Sequence, residues 1–151
     1  MNVKESVEEM IESSSVEEAV VRECAQCGEK QMMSSRTNLA VAPPILILQI
    51  RDRFLPSPLN DGSNVRNSRE IKHLSSPNVR IRTGVGVEIR VRYNVLAIIH
   101  HEGIRNNRGH YFAHIKRQDS WFRCSDRAVT PSVLSTLGAD TAYVVLCKKV
   151  R

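Results

Sequence analysis

Aromatic side chains are scarce in this sequence: three Phe, three Tyr and one Trp, 5% of 151 residues. None of them forms the aromatic run with which RNA-binding domains stack bases. Long apolar stretches are absent too, and nothing approaches the ~20 consecutive apolar residues of a membrane-spanning helix. The opening segment MNVKESVEEMIESS is acidic and has no apolar h-region, so it does not read as a secretion signal. Cysteine is limited to four. Without a secretion signal, those four suit a reducing compartment, as free or metal-bound thiols. The expectation is a soluble intracellular protein, in cytoplasm or nucleus, with no membrane partner.

What is present is ordinary globular composition, 41% apolar and 25% charged, in a chain long enough for one domain with a real core. The net charge of +6 suits an anionic partner in principle. The arginines, however, alternate with apolar residues, as in Val79-Arg80-Ile81-Arg82 and Ile89-Arg90-Val91-Arg92. That is the pattern of solvated strand faces, so a nucleic-acid partner is not expected.

Val3, Val7, Met10 and Ile11 recur at helical spacing and predict a short amphipathic helix over 3–12. Ser13-Ser14-Ser15 ends it, and Ser15 with Glu18 resembles a capping box before Ala19-Val20-Val21. A Cys24-Ala25-Gln26-Cys27-Gly28 knuckle follows. Ile45 to Ile50 is a continuous apolar run behind Pro43-Pro44, read as a buried strand. From Leu55 to about Ser76 the chain turns polar and Pro-rich, the mark of a long surface loop of the kind that often carries specificity. Beyond it, odd positions from Val79 to Ile99 are apolar with the exception of Thr83, the period of strands with one buried face, bent near Gly84 and Gly86. Leu96 and Ile98 fill even positions as well, so this strand becomes buried on both faces near His100-His101. Further strands are expected at 109–116, 121–124 and 142–146. The chain reads as mainly β with a helical N-terminal piece.

The stretch RGHYFAHIKRQDSWFRCSD, residues 108–126, carries the chemistry. Folding 109–116 back on 121–126 through a loop near 117–120 makes an antiparallel hairpin. In such a hairpin, paired residue numbers sum to a constant, here ~237 for a short loop. His110 then falls beside Ser125 or Asp126. A histidine held by a hydroxyl or carboxylate on the next strand is the base half of a nucleophile–base–orienter arrangement. It is also what a structural strand histidine with one hydrogen bond looks like. Gly109 before it permits a close backbone approach.

His101-x-Gly103, Gly109-His110-Tyr111, Trp121 and Ser125-Asp126 together resemble the histidine box of the ubiquitin-specific proteases, papain-like cysteine peptidases that remove ubiquitin. Tyr93 to Ile99 is similar to the strand before that box, Ile50-Arg51-Asp52-Arg53-Phe54 to the family's LKRF segment, and Ala142 to Leu146 to its closing strand. The resemblance implies an α+β fold: a papain-like palm dominated by an antiparallel sheet, with a partial fingers segment and no thumb. It divides the chain into a helical lead-in (1–23), partial fingers and a strand (24–54), a surface loop (55–76) and the palm sheet (77–151). It makes His110 the general base and Ser125 or Asp126 its orienter. His101, Gly103, Gly109 and Tyr111 become substrate-binding, and ubiquitin or ubiquitinated proteins the partner.

The family's nucleophile lies in a cysteine box, and none of the four cysteines here has those surroundings. Cys124 precedes Ser125 on its strand, so alternation turns it from His110, and Cys147 is expected to be packed. The resemblance therefore implies a deubiquitinase segment that supplies the base without the nucleophile, inactive by itself. A catalytically inactive, ubiquitin- or partner-binding adaptor is the alternative. A partner covering the face left by the thumb is also expected. Cys24 and Cys27 match one CxxC pair of the family's zinc fingers, half of a four-ligand site. Zinc is expected only if a second pair is supplied, and the spacing of His73 does not make it a third ligand. A zinc-stabilised or nucleic-acid-binding module ranks last.

Overall fold

The computed structural model describes residues 4–13, 17–50, 54–59, 62–67, 70–72, 76–133 and 141–151. Ser15, Arg51-Asp52-Arg53 and His73 lie outside them.

Strand β1 (Lys4–Ser6) runs straight into helix α1 (Val7–Ser13). The helix starts where it does because Ser6 and Glu9 form a capping box: the Ser6 N–H donates to Glu9 Oε2 at 2.6 Å, and the Glu9 N–H to Ser6 Oγ at 3.1 Å. The helix is thus shorter than the expected 3–12. Nor does a helix follow Glu18, because residues Glu18–Glu23 form strand β2, paired with β3 (Lys30–Ser35). The β-branched Val20 and Val21 lie opposite Met33 and Met32, and such cross-strand packing outweighs a capping signal. The Cys24–Gly28 knuckle is the tip of this hairpin.

Strand β4 (Ile45–Gln49) forms where expected, but it is not a buried strand: Leu46 faces the core while Ile45 and Ile47 are exposed on the other face. The polar stretch that follows is not loop throughout. It holds three short strands, β5 (Phe54–Pro56), β6 (Asn64–Arg66) and β7 (Glu70–Lys72), the last of which pairs in parallel with β1. The remainder is β8 (Asn78–Arg82), β9 (Glu88–Arg105), β10 (Arg108–Arg117), β11 (Ser120–Ser125), β12 (Ala128–Ser132) and β13 (Ala142–Lys149). Among the described residues the main sheet runs β12-β11-β10-β9-β13-β4, with β6 and β8 attached to the two ends of the 18-residue β9.

The register along β9 explains why its apolar pattern changes phase. Leu146 pairs with Ala97 but Cys147 with Val95, so Leu96 is an extra residue, a β-bulge. Before it, odd residues Tyr93 and Val95 face the core; after it, even residues Ile98 and His100 do. A second slip at Tyr143 adjusts β13 in the same way. The resulting core joins Val7 and Ile11 of α1 to Val79, Ile81, Tyr93, Val95, Ile98, Trp121, Val145 and Cys147. Burial pushes the Cys147 thiol up to about 11, so it packs as a neutral group.

Three histidines are enclosed. His114 Nδ1 and His100 Nε2 stand 2.9 Å apart, His100 Nδ1 is 2.9 Å from Thr141 Oγ1, and the His100 ring stacks on Phe112 at 4.6 Å. Burial, with the nearby Arg123 guanidinium, holds the His114 pKa below the ordinary histidine value. Burial and Arg66 do the same to His101. On unfolding, both rings become free to take up protons below about pH 6.5, whereas in the folded chain they resist until lower pH. Stability is therefore fully present above about pH 6.5 and is lost as the solution is acidified through and below that value. A thermal-melt series should show a midpoint that is flat around pH 7–8 and falls from about pH 6.5 downward. A midpoint that climbs on acidification would contradict neutral buried imidazoles.

Candidate functional site

The β10–β11 hairpin closes on the two-residue loop Gln118-Asp119, with Arg117 opposite Ser120 and Ala113 opposite Cys124, numbers that total 237. Continuing that ladder, His110 sits beyond the last rung, and its imidazole leans diagonally onto β11. Nε2 lies 2.7 Å from Ser125 Oγ. Asp126 does not obey strand alternation, because it has left the strand. It opens the two-residue turn between β11 and β12 with φ of +49°, a left-handed conformation that Asp tolerates better than most residues. That turn brings its carboxylate to 4.0 Å from the same Nε2. The spacing argument named both neighbours, and the structure brings both to one nitrogen.

The chemistry of this triplet follows from its donors. When the ring proton is on Nδ1, the Ser125 hydroxyl donates to Nε2; when it is on Nε2, that N–H donates to Ser125 Oγ. In the imidazolium, Nε2–H donates to Ser125 while the Asp126 carboxylate faces the new charge. The Asp126 side chain is 82% exposed, so water screens that attraction. Nδ1 has no hydrogen-bond partner among the described residues, and the side chain as a whole is 42% exposed.

The other matched residues form a separate cluster on the opposite face of the sheet. Tyr111 pairs with His101 across β9–β10, and their rings meet at 4.6 Å. Phe54 closes on His101 from β5 at 5.2 Å. Arg66 of β6 ties the corner: Nε donates to the Gly103 carbonyl at 2.7 Å, and Nη2 reaches both the His101 carbonyl and Nδ1. His101 is 1% exposed, and its ring packs against Tyr111. The glycines also change their reading. A Cβ on Gly109 would lie 2.5 Å from His101 Nε2, and one on Gly103 2.9 Å from His101 Cε1. The close approach that Gly109 permits is made by the protein itself: the Glu102 carbonyl of the neighbouring strand is nearest, with the His101 imidazole beside it. Arg66 escaped the sequence reading because it sits in a polar stretch with no periodicity to single it out.

None of the four thiols reaches His110. Cys147 is in the core, Cys124 faces away from Ser125 on β11, and Cys24 and Cys27 belong to the separate β2–β3 hairpin. Peptide N–H groups of Cys27 and Gln26, and then the Cys27 side chain, hydrogen-bond Cys24 and hold its thiol pKa below the ordinary range. Amides aimed at a sulfur suit a thiolate metal ligand. Yet no group of three or more His, Cys, Asp or Glu side chains converges among the described residues. Two thiols make half of a structural zinc site.

A family model described as ubiquitin carboxyl-terminal hydrolase matches residues 3–146. The chain belongs to that family. Among curated relatives, the human protein called inactive ubiquitin carboxyl-terminal hydrolase 17-like protein 7 is 26% identical over 151 residues, covering 95% of this chain and 26% of the relative. The mouse ubiquitin carboxyl-terminal hydrolase 17-like protein C is 27% identical over 126 residues, covering 81% of this chain and 22% of its own length. Among solved structures, the SAGA Ubp8/Sgf11/Sus1/Sgf73 module bound to ubiquitin aldehyde superposes with a TM-score of 0.78 at 20% identity, over 99% of this chain and 36% of that one. The yeast SAGA module carrying an Sgf73 mutant gives 0.77 at 20% identity, over 99% and 35%. The chain thus spans about a quarter of these curated relatives and about a third of the solved chains. The shared fold is that of ubiquitin-specific protease catalytic domains, here mostly antiparallel sheet.

Replacing Gly109 by Ala should press on the Glu102 carbonyl and the His101 ring together and destabilise the chain by about 1–3 kcal/mol, the usual cost of overpacking. Urea melts read this directly; an unchanged midpoint would mean that strand and ring can both give way at no cost.

Proposed function

We propose that this chain supplies the base half of a deubiquitinase site that cleaves the isopeptide bond after the ubiquitin C-terminus. The observation that carries the reading is the 2.7 Å contact between His110 Nε2 and Ser125 Oγ, with Asp126 beside it, in a chain of this family. The thiolate comes from outside these residues and approaches Nδ1. His110 takes the thiol proton, the thiolate attacks the carbonyl, and the imidazolium returns the proton to the leaving lysine amine. Water then releases the acyl group with His110 again as base. Ser125 fixes the ring, and Asp126 provides the negative charge that a hydroxyl lacks.

In this reading the main sheet is the palm, the β2–β3 hairpin is part of the fingers, and a thumb outside these residues covers the open sheet face. Supporting it, that face exposes Ile47 by 64%, Ile115 by 42% and Val129 by 63%, an apolar surface of the kind a second layer covers. Ubiquitin is the expected partner, in cytoplasm or nucleus. Cys24 and Cys27 hold zinc only with a second pair of ligands.

A second reading is a non-catalytic adaptor that binds ubiquitin or another protein. It is favoured by the neutral hydroxyl, rather than a carboxylate, at the 2.7 Å position, and by the inactive relative.

A ubiquitin probe with a thiol-reactive C-terminus should leave the purified chain unlabelled yet show binding. Labelling that disappears on changing one of the four cysteines to Ala would overturn the assignment of an external nucleophile. In a complete domain containing this chain, His110→Ala should lower turnover by about 10²–10⁴-fold; an unchanged rate there favours the adaptor. Dialysed against micromolar zinc, the chain alone should retain much less than one equivalent, and Cys24→Ser should change that little. A stoichiometric ion would mean that the other ligands lie within these residues.

A further inference from the structure

Beside His110, on the same face of the sheet, lies an open-sided cavity of about 550 Å³ to which the chemistry above gives no role. Its floor is Phe112, two residues on from His110. Its far wall is β12, and Arg123 and Glu102 stand at its edge. Arg123 is two positions before Ser125 and, by alternation, shares its face. The guanidinium carbon sits 4.2 Å from the Phe112 ring centroid, and a planar cation held on an aromatic face presents its N–H fork in a fixed orientation.

What that fork lacks is a strong acceptor. Its one ion-pair partner among the described residues is Glu102, at 3.9 Å with both side chains partly exposed. A pair that long and that wet is worth little and is readily exchanged. Thr130 lies directly opposite Arg123 on β12 and adds a hydroxyl donor to the cavity wall. The cavity therefore offers a preorganised guanidinium, a hydroxyl and an aromatic floor, the complement of a carboxylate on a short aliphatic stem. Arg123 and Ser125 are two strand positions apart, ~7 Å. An extended substrate advances by the same step, so the carboxylate it binds belongs to a residue within about two of the bond offered to His110.

We propose that Arg123 is a specificity determinant that takes an acidic side chain of the polypeptide flanking the bond presented to His110. This rests on the deubiquitinase reading above.

The test is titration of the isotopically labelled chain with a blocked Lys-Glu-Glu peptide and its Lys-Gln-Gln counterpart, read by NMR. The acidic peptide should shift the Arg123 side-chain and Thr130 resonances saturably, and at least tenfold more tightly than the neutral one. Arg123→Met, which keeps the aliphatic stem over Phe112, should erase that preference. Glu102→Gln, which removes the competing carboxylate, should tighten acidic-peptide binding severalfold. Equal binding of the two peptides, or a preference that survives Arg123→Met or weakens with Glu102→Gln, overturns the proposal. Ubiquitin titrated into the same sample, without peptide, reports the deubiquitinase reading separately, so either can fail while the other stands.

Discussion

Both hydrogen-bonding edges of β9 are engaged, by β8 and then β13 on the way in and by β10 and β6 on the way out. A strand in that position cannot slide by one residue without turning every side chain to the wrong face. The bulge at Leu96 is the one place where the phase is allowed to change, and it is held there by the slip against Leu146 and Cys147. The His110 hairpin and the β9 residues that face it lie on the C-terminal side of that bulge. Ile98 and His100 face the core because of it, Glu102 stands opposite His110 because of it, and His101 is turned to the other face with Tyr111.

The hairpin that carries His110 depends on this frame and on two tight turns that have no glycine where one is favoured. Gln118 and Asp126 both adopt positive φ, at 54° and 49°. Each costs something in backbone strain, of order 1 kcal/mol. At Asp126 the return is specific: a turn, rather than a strand, is what swings the carboxylate toward the ring already held by Ser125.

The parts of this architecture visible in the sequence are those set by local periodicity and by counting. Alternation identified the long strands, and the hairpin sum put His110 beside Ser125 and Asp126 to within two residues. The turn conformation that decides between those two neighbours is not written in alternation, which on its own would have turned Asp126 away. The Ser15-x-x-Glu18 spacing suggested a helix start, but there the cross-strand packing of Val20 and Val21 against Met33 and Met32 decided the outcome, while the box that does start a helix, Ser6 with Glu9, was not singled out because the apolar period carried the helix reading. Short strands β5 and β6 escaped because three-residue pairings carry no period of their own; they pair with each other, and only Val65 of β6 joins β9, at Arg105. The job of His101 was hidden for a different reason. That a glycine leaves room is plain from its identity, but what fills the room is a matter of tertiary contact.

The two outer strands of the main sheet are not alike. Strand β12 contains Pro131, which has no N–H to donate, in a strand of mostly exposed residues. Strand β4 is Ile45-Leu46-Ile47-Leu48-Gln49, and its outward edge is unpaired among the described residues. One border of the sheet is blunted and the other is sticky, so added strands can join from one side only. A chain with one such border grows into pairs at most when the borders meet edge to edge, because the blunted side of each copy ends the stack. Of these two borders among the described residues, β4 is the one where an extended segment from elsewhere could continue the sheet.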